Sequence, residues 1–165
     1  LRGSNDAEEE TEMMKALTIR QPWASLTLML DKNGKAFKRV ETRSHRTNYR
    51  GRLAIHAGLA KEPFGVIAVS GSEAKSMKPL CDFKIGPDFA VVGLPYGAVI
   101  GEVTIRDCIP IDELWGTALC TEREVAFGDW RKQRGRYGWI LEDPVSYDQP
   151  IPARGQLGLW NWSGK

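Results

Sequence analysis

Cysteine and histidine are scarce in this 165-residue sequence, which has three of the first and two of the second. Cys81, Cys108 and Cys120 stand far apart, with no CxxC pair and no histidine close in sequence. Neither a disulfide framework nor a zinc site is expected from that spacing, and a reducing, intracellular setting fits best. Missing too are GxxxxGK[ST] and GxGxxG loops, so phosphate binding of those kinds has no support. Ser25 and Thr27 lack a nucleophile elbow or a triad order around them. No apolar run approaches the roughly 20 residues that cross a bilayer, and Leu1 to Glu12 lack the apolar core of a secretory signal. The expectation is a soluble protein without membrane, metal or cofactor, cytoplasmic, with a nuclear location left open.

What is present suits one folded domain: 42% hydrophobic and 27% charged residues. The net charge of +2 is unevenly spread, because Arg2 stands alone against Asp6, Glu8, Glu9, Glu10 and Glu12. Residues 1–14 are therefore expected to be an acidic, disordered tail, with Leu1 to Ser4 as a vector remnant, and residues 15–165 to be the domain. The basic body permits an anionic partner.

Periodicity points to short strands and few helices. Strands are expected at Lys15–Ile19, Phe37–Arg43, Gly51–Ala57, Ala98–Asp107, Tyr137–Leu141 and Leu157–Trp162. In the fourth, Val99, Val103 and Ile105 should line one face, and Ala98, Ile100, Glu102 and Thr104 the other. Pro22 suits the first turn of a helix with Trp23, Leu26, Met29 and Leu30 on its apolar side, closed by Gly34. Gly65–Lys78 reads as a weak helix, Lys84–Gly97 as loop, Ile111–Trp115 as a helical turn and Thr121–Trp130 as a further short helix. The fold class is α+β, mainly β: a small barrel with a few flanking helices.

Lys38, Glu41 and Arg43 form a K-x-x-E-x-R pattern. On a strand, Glu41 and Arg43 share a face and can flank one ligand. Lys38 belongs to the other face unless the chain turns or bulges near Arg39. Taken alone, such a charge run is more often a solvated ladder. Its surroundings are strongly basic, however: eight Lys or Arg lie between Lys32 and Arg52 against Glu41 alone. A second cluster, Arg131-Lys-Gln-Arg-Gly-Arg136, precedes Tyr137 and Trp139. Cations beside aromatics suit single-stranded nucleic acid, whose phosphates and splayed bases they can hold. The six tryptophans, most of them after residue 114, serve equally as core. His45 and His56 are the only histidines, and a lone strand histidine such as His56 is more often structural than catalytic.

In order along the chain, Thr18-Ile-Arg-Gln-Pro-Trp-Ala-Ser25, Lys38-Arg-Val-Glu-Thr-Arg43 and Tyr49-Arg-Gly-Arg-Leu-Ala-Ile-His-Ala57 resemble the ASCH domain family, related to the PUA fold. Gly97-Ala-Val-Ile-Gly-Glu-Val-Thr-Ile-Arg-Asp-Cys108, Gly135-Arg-Tyr-Gly-Trp-Ile-Leu141 and Gly155-Gln-Leu-Gly-Leu-Trp160 continue the likeness, which covers nearly the whole body. The resemblance implies a PUA-like β-barrel with a cleft beside the first helix. The family pattern G-x-K-x-x-E-x-R falls on Ala36, Lys38, Glu41 and Arg43, with alanine standing for the glycine.

RNA or nucleotide binding is the function the resemblance implies. Gln21, Pro22, Trp23, Ser25, Lys38, Glu41, Arg43, Arg50, Tyr137 and Trp139 are the candidate ligand residues, with Trp23 or Trp139 stacking on a base. The alternative is a metal-independent amidohydrolase on acylated cytidine nucleosides, or a ribonuclease. Some small family members hydrolyse acetylated cytidine with a lysine, a threonine and a glutamate. Here the lysine matches Lys38, Glu41 stands at the threonine, and Glu122 or Glu124 is nearest the glutamate. Lys38, Glu41 and Glu124 are thus the catalytic candidates, with Lys38 as base and a carboxylate relaying the proton. The partner is RNA, another single-stranded nucleic acid or a nucleoside.

Overall fold

Alternating apolar residues build a sheet with a core on each face. In β1 (Met14–Ile19), Leu17 and Ile19 join one cluster of buried side chains while Ala16 joins another. In β3 (Gly51–Ala57), Leu53 and Ile55 separate from Ala54 in the same way. The computed structural model describes residues 13–31, 33–60, 82–84, 90–92 and 94–164. Between and after these strands come α1 (Trp23–Leu26), β2 (Val40–Arg43), β4 (Asp82–Lys84), β5 (Ala90–Val92) and β6 (Ala98–Pro110). The helices α2 (Ile111–Leu114) and α3 (Glu122–Ala126) precede β7 (Tyr137–Pro152) and β8 (Leu159–Trp162).

Six strands form one mixed sheet in the order β2-β7-β6-β3-β1-β8, and β4 and β5 form a separate pair. β1 and β3 run parallel, with Leu17 opposite Ile55, and the other neighbours are antiparallel. Parallel neighbours need a crossover, and this one carries α1 and β2. It takes the chain from β1, near one margin of the sheet, to β2 at the other, and back to β3. Among the described strands no ladder joins β2 to β8, so the pairing gives a mainly-β open sheet with few helices and not a closed barrel.

Several elements differ from their sequence-based limits. The first helix stops at Leu26, and Leu30 pairs instead with Ala36 in an isolated bridge. β2 begins only at Val40, because the Phe37 and Lys38 N–H groups donate to the Met29 and Leu26 carbonyls, each at 3.0 Å. The stretch assigned as loop from Lys84 contains β5, and the helix expected over Gly65–Lys78 lies outside the described residues. β7 runs on from Leu141 through a polar, proline-containing stretch to Pro152, since β6 pairs with it at Glu142, Val145, Ser146, Ile151 and Pro152 across two register shifts. β6 itself slips register near Ile100, where Ile55 opposes Gly101 but His56 opposes Val99. That bulge puts Ala98 and Ile100 in the same core as Val103 and Ile105, with Val99 on the other face, correcting the expected alternation.

Candidate functional site

A buried glutamine fixes the entry to α1. The Gln21–Pro22 peptide bond is cis. Gln21 Oε1 accepts the Ser25 N–H at 3.0 Å, while Nε2 donates to Ser25 Oγ at 2.8 Å and to the Pro95 carbonyl at 2.9 Å. Gln21, Pro22 and Ser25 are all buried, so these three hold the backbone that presents the half-buried Trp23.

Trp23 faces a cavity of about 590 Å³ that Lys38, Glu41 and Arg43 also line. Lys38 reaches it because it precedes the ladder and so is free of strand alternation. Its side chain is 1% exposed, and its ammonium donates to the Val40 carbonyl and pairs with Glu41 Oε2 at 2.9 Å. Glu41 Oε1 lies 3.0 Å from Arg43 Nε, and Arg43 Nη2 donates to the Thr18 carbonyl at 3.2 Å. The trio is therefore a continuous cation–carboxylate–cation chain. Its last bond ties β2 to β1 across the cavity, lacing by a side chain two strands that share no backbone ladder.

The walls come from sheet ends and loops. Thr18 and Ile19 of β1, Gly58 after β3 and Gln156 to Gly158 before β8 contribute, and Leu59 and Leu157 stand at the mouth 76% and 99% exposed. Arg20 and Arg136 also line the cavity; Arg136 Nη2 donates to the Thr42 carbonyl at 3.2 Å and its Nε lies 3.4 Å from Asp129. Four Lys or Arg side chains thus face Glu41 as the single carboxylate among the described lining residues.

Glu124 sits behind this wall, fully buried, and does not line the cavity. Its carboxylate accepts the Arg39 N–H at 2.7 Å and the Val40 N–H at 3.2 Å, with Arg39 Nε 3.4 Å away. Burial raises its pKa, against the opposing pull of the Lys38 charge, the Arg39 charge and those backbone donors. Glu122 is exposed, so of the two glutamates only Glu124 comes near Lys38.

Beyond this geometry stands one comparison. The chain is similar to human activating signal cointegrator 1. The two are 27% identical over 151 residues, which cover 90% of this chain but 22% of the cointegrator. At that coverage the cointegrator match spans Lys38, Glu41, Arg43, Glu124 and Arg136 whichever end the unmatched residues occupy. No protein-family model matches the chain.

Trp139, Tyr137 and Arg50, like Gln21, Pro22 and Ser25, do not line the cavity. Trp139 is fully buried, donates its indole N–H to the His45 carbonyl at 3.2 Å and offers no face to a ligand. Tyr137 lies opposite Arg43 in the ladder and packs on the core. Arg50 is on the surface, paired with Asp107 at 2.9 Å. His56 is buried and bonds the Ala153 carbonyl at 2.9 Å through Nε2. Sequence reasoning missed Thr18, Gln156 and the role of Arg136. For Arg136 the signal was the basic cluster; the others carry none, since only tertiary packing brings them to the cavity.

Proposed function

We propose that the chain is an ASCH-type domain that binds RNA or a nucleotide in the cavity beside α1. The order of its motifs and the match to activating signal cointegrator 1, which contains an ASCH domain, support the family reading. One observation carries the functional one: four cationic side chains and one carboxylate surround a cavity of nucleotide size with an indole on its wall. Arg43 and Arg136 meet phosphate oxygens, for which a guanidinium fork is suited. Lys38 spends two of its three ammonium donors on Val40 and Glu41, which leaves one for a base oxygen. Glu41 accepts from a base amino group or holds Arg43 in place, and Trp23 stacks on the base.

Titration of a fluorescent hexauridylate against wild type, Arg43→Ala and Arg136→Ala tests this. Each substitution should weaken binding about tenfold and lower the salt slope by about 0.7, one phosphate contact on a single strand. Affinity indifferent to both changes would remove the cavity assignment.

A second reading has its own observation, an ammonium set between two carboxylates, Glu41 in contact and Glu124 close enough to act through charge. In a metal-independent hydrolase of acylated cytidine, or a ribonuclease, Lys38 first gives one ammonium proton to Glu41, then as the free amine takes the proton of the attacking water, and Glu41 delivers its own proton to the leaving group. Screening acylated cytidines and short RNAs with wild type and Lys38→Ala decides it. Equal turnover by the two proteins ends this reading.

A further inference from the structure

A second recess, of about 680 Å³, lies behind the wall of the first, and Trp23 and Phe127 line both. Its remaining walls include Trp115, Gly128, Asp129 and Trp130. The partition is thin. Thr42, on the side of the first cavity, accepts the Asp129 N–H at 2.9 Å through Oγ1, and its Cγ2 would lie 2.8 Å from a Cβ on Gly128.

This groove is aromatic where the first cavity is charged, and its charge stands on the rim. Arg131 is locked onto Asp129 at 2.6 Å, and Asp112 fastens the same loop by accepting the Gln133 N–H at 3.1 Å. The loop thereby presents Lys132 and Arg134, both exposed, and the Lys132 ammonium rests 5.2 Å from the centre of the half-buried Trp115 ring. In the wall, Trp130 is 2% exposed and its indole N–H finds no acceptor among the described residues. Unpaired buried donors are uncommon, and one in a groove wall is suited to a ligand oxygen.

We infer that this groove is a second nucleotide subsite, so that the ligand is a single strand running from the cavity past Trp23 to Trp115. The inference rests on the cavity being a nucleotide site. One base occupies the cavity and a neighbouring base packs on the Trp115 indole, while Lys132 swings from the ring to a phosphate and Arg134 meets the next. A duplex does not satisfy this surface, because indoles take bases only when these are unstacked from their partners.

Binding of uridine monophosphate and of uridine oligomers of two, four and six residues, to wild type and to the Lys132→Ser/Arg134→Ser double variant, provides the test. Both side chains are exposed, so the thermal unfolding midpoint of the variant should match wild type. Affinity of the wild type should rise with length. In the variant, uridine monophosphate should bind as before, while the hexamer weakens about tenfold and its salt slope falls by about 1.4, for two lost contacts. Wild type that binds the monophosphate and the hexamer equally overturns the second subsite and leaves the cavity reading standing. So does a variant with unchanged hexamer affinity, or a groove that takes a peptide while hexamer and monophosphate stay equal. Wild type that binds none of these ligands overturns both.

Discussion

Glu124 on α3 takes the backbone N–H groups of Arg39 and Val40, at 2.7 and 3.2 Å, one on each oxygen of its buried carboxylate. These donors belong to the chain just after Lys38, where the path from α1 turns into β2. The clasp fixes where the ladder starts and therefore which way Lys38 points. Thr121 Oγ1 in turn accepts the Glu124 N–H at 3.2 Å and caps the helix that carries the clasp.

Removing the clasp should be costly. Glu124→Ala leaves two buried donors unpaired and is expected to lower stability by about 2–4 kcal/mol in urea denaturation. Glu124→Gln keeps one carbonyl acceptor and should lose roughly half of that.

Stability should respond to pH with opposite signs in two windows. Burial raises the Glu124 pKa, so just above the ordinary glutamate range the native chain binds more protons than the unfolded one, and stability falls as pH rises there. The Asp129 pKa is lowered by the hydrogen bond from Arg131, and the Asp107 pKa by the Cys108 N–H and by Arg50. Their contribution is complete above the ordinary aspartate range and is lost as pH falls below that range through the lowered native values. Denaturation at a series of pH values should show both limbs. Glu124→Gln should flatten the upper one and Asp129→Asn the acid one.

Gln21 is expected to act on the fold before it acts on any ligand. Gln21→Ala leaves the Ser25 N–H and Oγ and the Pro95 carbonyl without their buried partner, and about 2 kcal/mol of stability should go. Because Gln21 holds the backbone that presents Trp23, a nucleotide titration under conditions where the variant stays folded should also weaken, by about tenfold, the scale of one disturbed base stack.

Much of this could be read from the sequence, and the exceptions share a cause. Strands such as Gly51–Ala57 are legible because their alternation is local. The long arm of β7 is not, because Glu142 to Pro150 has strand form only through its partner β6. In the candidate site, Glu41 and Arg43 followed from strand spacing, but Lys38 depended on hydrogen bonds to Leu26 and on Glu124, more than eighty positions later. An indole beside basic residues reads alike whether it is core or platform, and for Trp139 its full burial and its bond to the His45 carbonyl decide for core.

The bulge of β6 also makes a steric demand. A Cβ on Gly101 would lie 2.3 Å from the Val145 carbonyl oxygen and 2.7 Å from Leu28 Cδ1. Gly101→Ala should cost at least about 2 kcal/mol, since backbone must move to admit it. Gly116→Ala, in open space at φ +80°, should cost only about 1 kcal/mol from backbone conformation, and paired thermal melts will separate the two.

The route from β1 to β3 has one more effect. Trp23, Lys38, Glu41 and Arg43 all ride on the connection between those two parallel neighbours. Pairing of β1 with β3 closes the loop that carries all four, so the recess and that parallel pairing are formed from one stretch of chain. Lesions there are expected to slow the closure of that pairing as well as weaken capture, which stopped-flow refolding of Arg43→Ala beside wild type would show.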